Sequence, residues 1–185
     1  MAGRPDWLEA GLATLAEEGA PALTIERLAG RLGLTKGSFY HHFKNIGVFR
    51  SALLEYFEAR CTTGYIDLVE RAGGSPRARF GRLLDLVLTD EHHPTDLEVA
   101  VRAWALQDEE ARATQERVDH LRTEYLRSLA AGSGVPAEEV TPIARLLYLV
   151  LVGAHQVLPP VSPEEMRPVY ALAMRLLPDE PRSNP

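Results

Sequence analysis

Cysteine and lysine are the scarce residues of this chain, and each scarcity narrows its chemistry. Cys61 is the only cysteine among 185 residues, so neither an intrachain disulfide nor a thiolate metal cage can form, which suits a reducing compartment. Lysine occurs twice, as Lys36 and Lys44, against eighteen arginines. Long apolar runs are missing as well. The most apolar window, Leu146 to Ala154, is bounded by Arg145 and His155 and falls well short of the roughly 20 residues that span a bilayer. It reads as a buried helix, and no membrane partner is expected. A secretory signal needs a basic start and an apolar run of roughly 7 to 15 residues, whereas Met1 to Asp6 leads into a stretch carrying Glu9, Glu17 and Glu18, so the chain is expected to work in the cytoplasm. Also absent are a nucleophile elbow, a phosphate loop, a metal-ligand pair on a helix and paired catalytic carboxylates. The chain is therefore expected to be no enzyme and to need no cofactor.

What is present is ordinary in total and uneven along its length. With 45% hydrophobic and 25% charged residues, the chain is long enough to bury a core. Its net charge of -6 argues against a nucleic-acid partner until the charge is divided along the chain. Residues 1–50 hold six basic and five acidic side chains, and the remaining 135 hold fourteen and twenty-one. Between Thr24 and Arg50 stand Arg27, Arg31, Lys36, Lys44 and Arg50, with Glu26 as the single acid. An acidic protein with one basic segment suggests a local nucleic-acid footprint, and both lysines fall inside it.

Apolar residues recur at helical spacing almost throughout, with no sustained alternation and no Asn-Gly hairpin, which predicts an all-α protein of about nine helices. The first carries Leu8, Leu12, Leu15 and Ala16 and ends at Gly19 to Pro21. The second carries Ile25, Leu28, Ala29 and Leu32, with Thr24 as N-cap and Gly33 as stop. Thr35 caps a short third helix bearing Phe39 and Phe43, and Asn45 caps a long fourth reaching towards Arg71. Gly73-Gly74-Ser75-Pro76 breaks the chain before a fifth helix with Phe80, Leu83, Leu84, Val87 and Leu88. The sixth bears Leu97, Val101 and Trp104, the seventh Val118, Leu121, Tyr125 and Leu129, and the eighth spans roughly Ala137 to Val157. Ser162-Pro163-Glu164-Glu165 starts the ninth with a capping box, and Pro168 inside it predicts a kink or a late start. The expected organisation is a helix-turn-helix head over 1–47, a helical body over 48–178 and a flexible tail over 179–185.

Residues Thr24 to Phe43 read as helix, tight glycine turn and short helix. In such a motif the first helix braces across the DNA backbone and the second enters the major groove. With Phe39 and Phe43 facing inward, Lys36, Gly37, Ser38, Tyr40, His41 and His42 are left for the other sides. Their hydroxyls, ammonium and imidazoles suit phosphates and base edges, while Gly37 permits close approach to a backbone. Thr24 and Thr35 sit at helix starts, where free N–H groups favour a phosphate.

This segment resembles the DNA-binding head of the TetR family of transcriptional regulators. The resemblance is carried by Thr24, the Ile25/Leu28/Ala29 spacing, Leu32-Gly33-Leu34-Thr35 and the run Lys36 to Phe43, and is specific from about Asp6 to Phe57. It implies DNA contacts at Thr24, Lys36, Ser38, Tyr40, His41 and Lys44, with Tyr40 and Lys44 on phosphate; His41 is the candidate for base readout. It also implies a homodimer whose last two helices pair as a four-helix bundle, with Leu147, Leu151, Val169, Tyr170 and Ala173 as interface candidates. The function implied is a repressor released from a palindromic operator by a small-molecule effector. Phe57, Trp104, Tyr125, Tyr148 and His155 are candidates to line the effector's cavity. One departure matters: Asn45-Ile46-Gly47-Val48 lacks the lysine that family members often carry just after that cap. It sustains a second reading, a helical interaction or sensor protein with a degenerate head. Asp90, Glu91, His92, His93 and Asp96 hold metal-ligand chemistry, but adjacent histidines in a loop do not converge on an ion unaided, and no metal is expected.

Overall fold

The structure, a computed structural model, describes residues 2–89 and 95–178. The predicted acidic and histidine-bearing loop at 90–94 and the predicted tail at 179–185 lie outside the described residues. Ten α-helices and no strand occur among those described: α1 (Arg4–Glu18), α2 (Ile25–Leu32), α3 (Lys36–Tyr40), α4 (Ile46–Glu58), α5 (Gly64–Ala72), α6 (Pro76–Thr89), α7 (Thr95–Ala105), α8 (Glu109–Gly132), α9 (Ala137–Gln156) and α10 (Pro163–Ala173). All nine predicted helices are found, because α4 and α5 together fill the place of the long fourth. They are joined by a π-turn over Ala59–Thr63, which the sequence does not announce. No helix among the described residues is long and apolar enough to cross a membrane.

The helix starts follow local chemistry. Thr24 Oγ1 accepts from Arg27 N at 3.2 Å, Thr35 Oγ1 from Ser38 N at 3.3 Å, and Asn45 Oδ1 from Val48 N at 2.9 Å. Each satisfies a backbone donor that has no partner within its own helix. Ser162 and Glu165 form the predicted capping box, and α10 runs unbroken through Pro168.

The described residues fall into two compact units, one of 2–61 with 95–117 and the other of 62–89 with 118–178. In the first, α1 packs against α2, α4 and α7. Its interior is aromatic at one end, where Trp7, Phe39, Phe43 and Phe49 are all buried. In the second, Phe80, Leu126, Leu129, Ile143, Leu147 and Leu177 belong to one apolar cluster, and Ala154, Met166 and Tyr170 to a smaller one.

The arginine bias acquires a structural reason. Arg50 Nη2 donates to the Leu23 carbonyl, Arg82 Nη1 to Gly73, Arg112 Nε to Ala105, and Arg77 Nη1 to both Met174 and Leu177, over 2.7–3.2 Å. Each of these carbonyls lies at or just beyond the end of a helical segment. Helix ends leave carbonyls without intrahelical partners, and a planar guanidinium fork reaches them with little further ordering. Arginine here closes helices within the protomer.

Candidate nucleic-acid interface

The reader helix is held by its aromatic underside. The Phe39 ring lies edge-on to Trp7 with centroids 5.4 Å apart, and is 5.3 Å from Phe43 and 5.6 Å from Phe49. Phe43 and Phe49 meet edge-on at 5.0 Å. This four-ring cluster anchors α3, which at five residues could not hold its own shape in water. Phe43 lies beyond the last residue of α3, yet its amide still donates to the Phe39 carbonyl at 3.0 Å, which keeps its ring on the inner side.

The turn that delivers α3 depends on Gly33. Its φ of 65° lies in the left-handed region, and its N–H closes the end of α2. Gly37 has a different character: a β-carbon there would meet nothing closer than Thr35 Oγ1 at 3.6 Å. The fold itself makes no demand for glycine at 37, so its smallness is free to serve an outside surface.

With the underside fixed, Thr24, Thr35, Lys36, Gly37, Tyr40, His41 and Lys44 are exposed, and Ser38 is half-buried. His42 departs from its expected place. Its Nε2 lies 3.2 Å from the Ala2 carbonyl, so the ring turns back towards the N-terminus while His41 stays in solvent. Arg4, the only basic residue ahead of the first predicted apolar stripe, begins α1 and lies over the Phe43 ring at 5.3 Å.

The basic footprint suggested by counting charges is largely neutralised within the protomer. Arg31 grips Glu17 with two hydrogen bonds of 2.5 and 2.7 Å, Arg27 grips Glu18 at 2.8 and 2.9 Å, and Lys36 Nζ donates to Glu26. The hydrogen bond from Arg31 holds the Glu17 carboxyl below its ordinary range, as that from Lys36 does for Glu26. Arg50 is committed to the Leu23 carbonyl. Among the described residues, Lys44 is the one cation of the stretch with no ion pair or hydrogen bond. Glu17 and Glu18 escaped the count because they lie on α1, outside the segment counted.

Gly47, part of the departure after the fourth helix's cap, serves that cap. A β-carbon there would stand 3.2 Å from Asn45 Oδ1, the atom that accepts from Val48 N. Glu26, marked in the sequence only as the single acid of the basic segment, is brought beside Lys36 at the start of α3.

The five effector-cavity candidates do not come together in one unit. Phe57 and Trp104 are buried in the first, whereas Tyr125, Tyr148 and His155 belong to the second. Tyr125 donates its hydroxyl to Glu70 at 2.8 Å, and Tyr148 donates to Asp119 at 2.6 Å. Burial, reinforced by the Glu70 carboxylate, pushes the Tyr125 phenol well up. No group of three metal-ligating side chains is placed to hold an ion among the described residues.

Three of the five interface candidates need correction. Leu147 is 2% exposed and Tyr170 is 3% exposed, and with Ala173 they are closed inside the protomer's own second unit. Leu151 is half-buried there, and Val169 is exposed. A helix apolar on all sides does not reveal which side faces its own body. The large hydrophobic side chains exposed on α9 and α10 are Leu146, Leu149, Val169 and Leu172.

Residues 8–53 match the sequence model described as Bacterial regulatory proteins, tetR family. No curated protein matches the chain by sequence. Among solved structures it is similar to Escherichia coli NemR in its reduced form, with a TM-score of 0.79 and 21% identity over 95% of this chain and 97% of that one. A putative TetR-family transcriptional regulator from Rhodococcus sp. gives 0.75 and 22% over 94% and 97%. A TetR transcription regulator from Haloarcula marismortui gives 0.73 and 22% over 94% and 95%. At these identities the likeness is one of fold, and that fold is the predicted all-α arrangement.

Proposed function

We propose, from the match of residues 8–53 to the model of bacterial regulatory proteins of the tetR family and from the fold that the chain shares with solved TetR regulators, that this protein is a sequence-specific DNA-binding regulator of transcription. One observation carries the reading. The aromatic cluster pins one side of α3 and leaves Lys36, Gly37, Tyr40 and His41 on the outside, next to the uncommitted Lys44. Residues 1–47 read the DNA, with α3 in the major groove and α2 across the backbone. Thr24, Thr35, Ser38, Tyr40 and Lys44 meet phosphate, and His41 meets a base edge. Residues 48–178 form the sensing and dimerising body.

The working unit is a homodimer. Leu146, Leu149, Val169 and Leu172 form the self-complementary surface on α9 and α10, and the two reader helices then meet half-sites about 34–36 Å apart, or a multiple of that, on a palindromic operator. The regulator represses, and a small molecule held in the body releases it. Such a molecule acts only through its unequal affinity for the binding and non-binding shapes of the dimer.

Iterative selection from a pool of random duplexes, with the protein at two salt concentrations, tests this reading. An enriched palindrome supports a specific regulator. No enrichment, with no binding at low salt, contradicts it and favours the second reading, an interaction protein with a degenerate head. The internal neutralisation of Arg27, Arg31 and Lys36 is the observation on that side.

A further inference from the structure

Glu26 is the single acidic residue between Thr24 and Arg50, and it stands where an anion is least expected on a surface that meets phosphate. Its side chain is exposed and its carboxylate accepts from Lys36 Nζ, linking the second residue of α2 to the first residue of α3. An acid in the first turn of α2 favours the helix dipole. That benefit is equally available at neighbouring first-turn positions and does not account for a carboxylate reaching the start of the reader helix. The N-terminal residues of a reader helix are those that contact base edges. A carboxylate there is shielded from the phosphates by Lys36, but it gains from the DNA itself only where it meets a hydrogen-bond donor. In the major groove the exocyclic amino group of cytosine is the donor that carboxylates pair with.

Resting on the DNA-binding reading above, we propose that Glu26 is a specificity-determining residue whose carboxylate accepts from the N4 amino group of a cytosine, while Lys36 beside it donates to O6 and N7 of the guanine paired with that cytosine. The ammonium and carboxylate, held next to each other before binding, present a donor and an acceptor side by side. The major-groove edge of one G·C pair presents the complementary order, with the guanine acceptors next to the cytosine donor. The lone acid of the segment thus reads one fixed G·C pair in each half-site.

The test compares operators selected from random duplexes by the full-length wild type, E26Q and E26A, followed by competition binding at one salt concentration and thermal unfolding of each protein. The wild type is expected to enrich a G·C pair at one position of each half-site. E26A relaxes that position, with discrimination falling by about tenfold. E26Q turns it towards adenine, because glutamine pairs with N6 and N7. Preferences elsewhere in the site stay as they were. If both variants shift affinity for all sequences alike, in either direction, and keep the wild-type preference, Glu26 acts only on the helix or on Lys36, and the inference is overturned while DNA binding stands. If E26A does not fold, the near-isosteric E26Q decides the matter alone. Failure of the wild type to enrich any sequence overturns the DNA-binding reading and this inference together.

Discussion

Gly11 of α1 lies so close to Phe49 of α4 that a β-carbon on Gly11 would stand 2.6 Å from Phe49 Cζ and 2.9 Å from Leu53 Cδ1. Phe49 is fully buried and in ring contact with Phe39 and Phe43, so it has no room to yield. Gly11→Ala gains about 1 kcal/mol of helix propensity but incurs about 1–3 kcal/mol of overpacking. A clash at 2.6 Å against a ring that cannot yield puts the overpacking at the upper end, about 3 kcal/mol, so the expected net loss is about 2 kcal/mol in urea unfolding, with weaker DNA binding because Phe39 seats the reader. Unchanged or raised stability contradicts the packing account.

Arg77 donates through one nitrogen to the carbonyls of Met174 and Leu177. A lysine keeps the charge but ends one bond shorter and lacks the fixed donor directions of the guanidinium, so it does not reach both carbonyls. Arg77→Lys is expected to cost about 1.5–3 kcal/mol of stability, the worth of a charged hydrogen bond. A lysine variant with wild-type stability would show that charge, and not geometry, closes the helix.

Lys44 and Arg31 offer a matched pair for DNA binding, since both lie in the basic stretch but only Arg31 is held by an acid. Lys44→Ala is expected to lower the slope of log affinity against log salt by about one, the effect of one lost phosphate contact. Arg31→Ala leaves that slope unchanged. Equal effects of the two substitutions contradict the claim that internal pairing removes Arg31 from the footprint.

The carboxyls of Glu17, Glu26 and Glu124 are held below their ordinary value of 4.5 by hydrogen bonds from Arg31, Lys36 and Arg127. That of Glu165 is lowered by the backbone N–H of Ser162. A depressed carboxyl stabilises the fold above its unfolded pKa, and that contribution is lost as pH falls through the folded one. The unfolding midpoint in urea should therefore decline as pH falls below 4.5. Glu17→Gln and Glu165→Gln should each flatten that decline, and a slope unaltered in both contradicts the assignment.

Leu149 is 58% exposed on α9 and Leu172 is 61% exposed on α10. If these helices form the dimer surface, Leu149→Glu combined with Leu172→Glu places four charges in it and yields a folded monomer by sedimentation. A dimer that survives both substitutions puts the interface elsewhere.

What the sequence disclosed was local, and what it concealed was set by distant partners. Thr24, Gly33, Thr35 and Asn45 could be read as caps and a stop because their effect is confined to a few neighbouring residues. The π-turn at Ala59–Thr63 left no mark because the apolar spacing runs on past Phe57 to Cys61 and Tyr65, all buried. Arg31 meets Glu17 fourteen residues away, which no local pattern specifies, so a count of charge in one segment overstated its free charge. Leu147 and Tyr170 misled for a related reason: apolar character predicts burial but not the partner that buries it.

The central claim is that the surface above the Phe39 cluster binds a particular DNA sequence. Fluorescence anisotropy with a labelled duplex from the selection, against a scrambled duplex of equal composition, tests it most directly when wild type and Lys44→Ala are compared at two salt concentrations. The account predicts tighter binding of the selected duplex at both salts, and a shallower salt dependence for Lys44→Ala. Equal affinity for the two duplexes, with a salt dependence indifferent to Lys44, would contradict it.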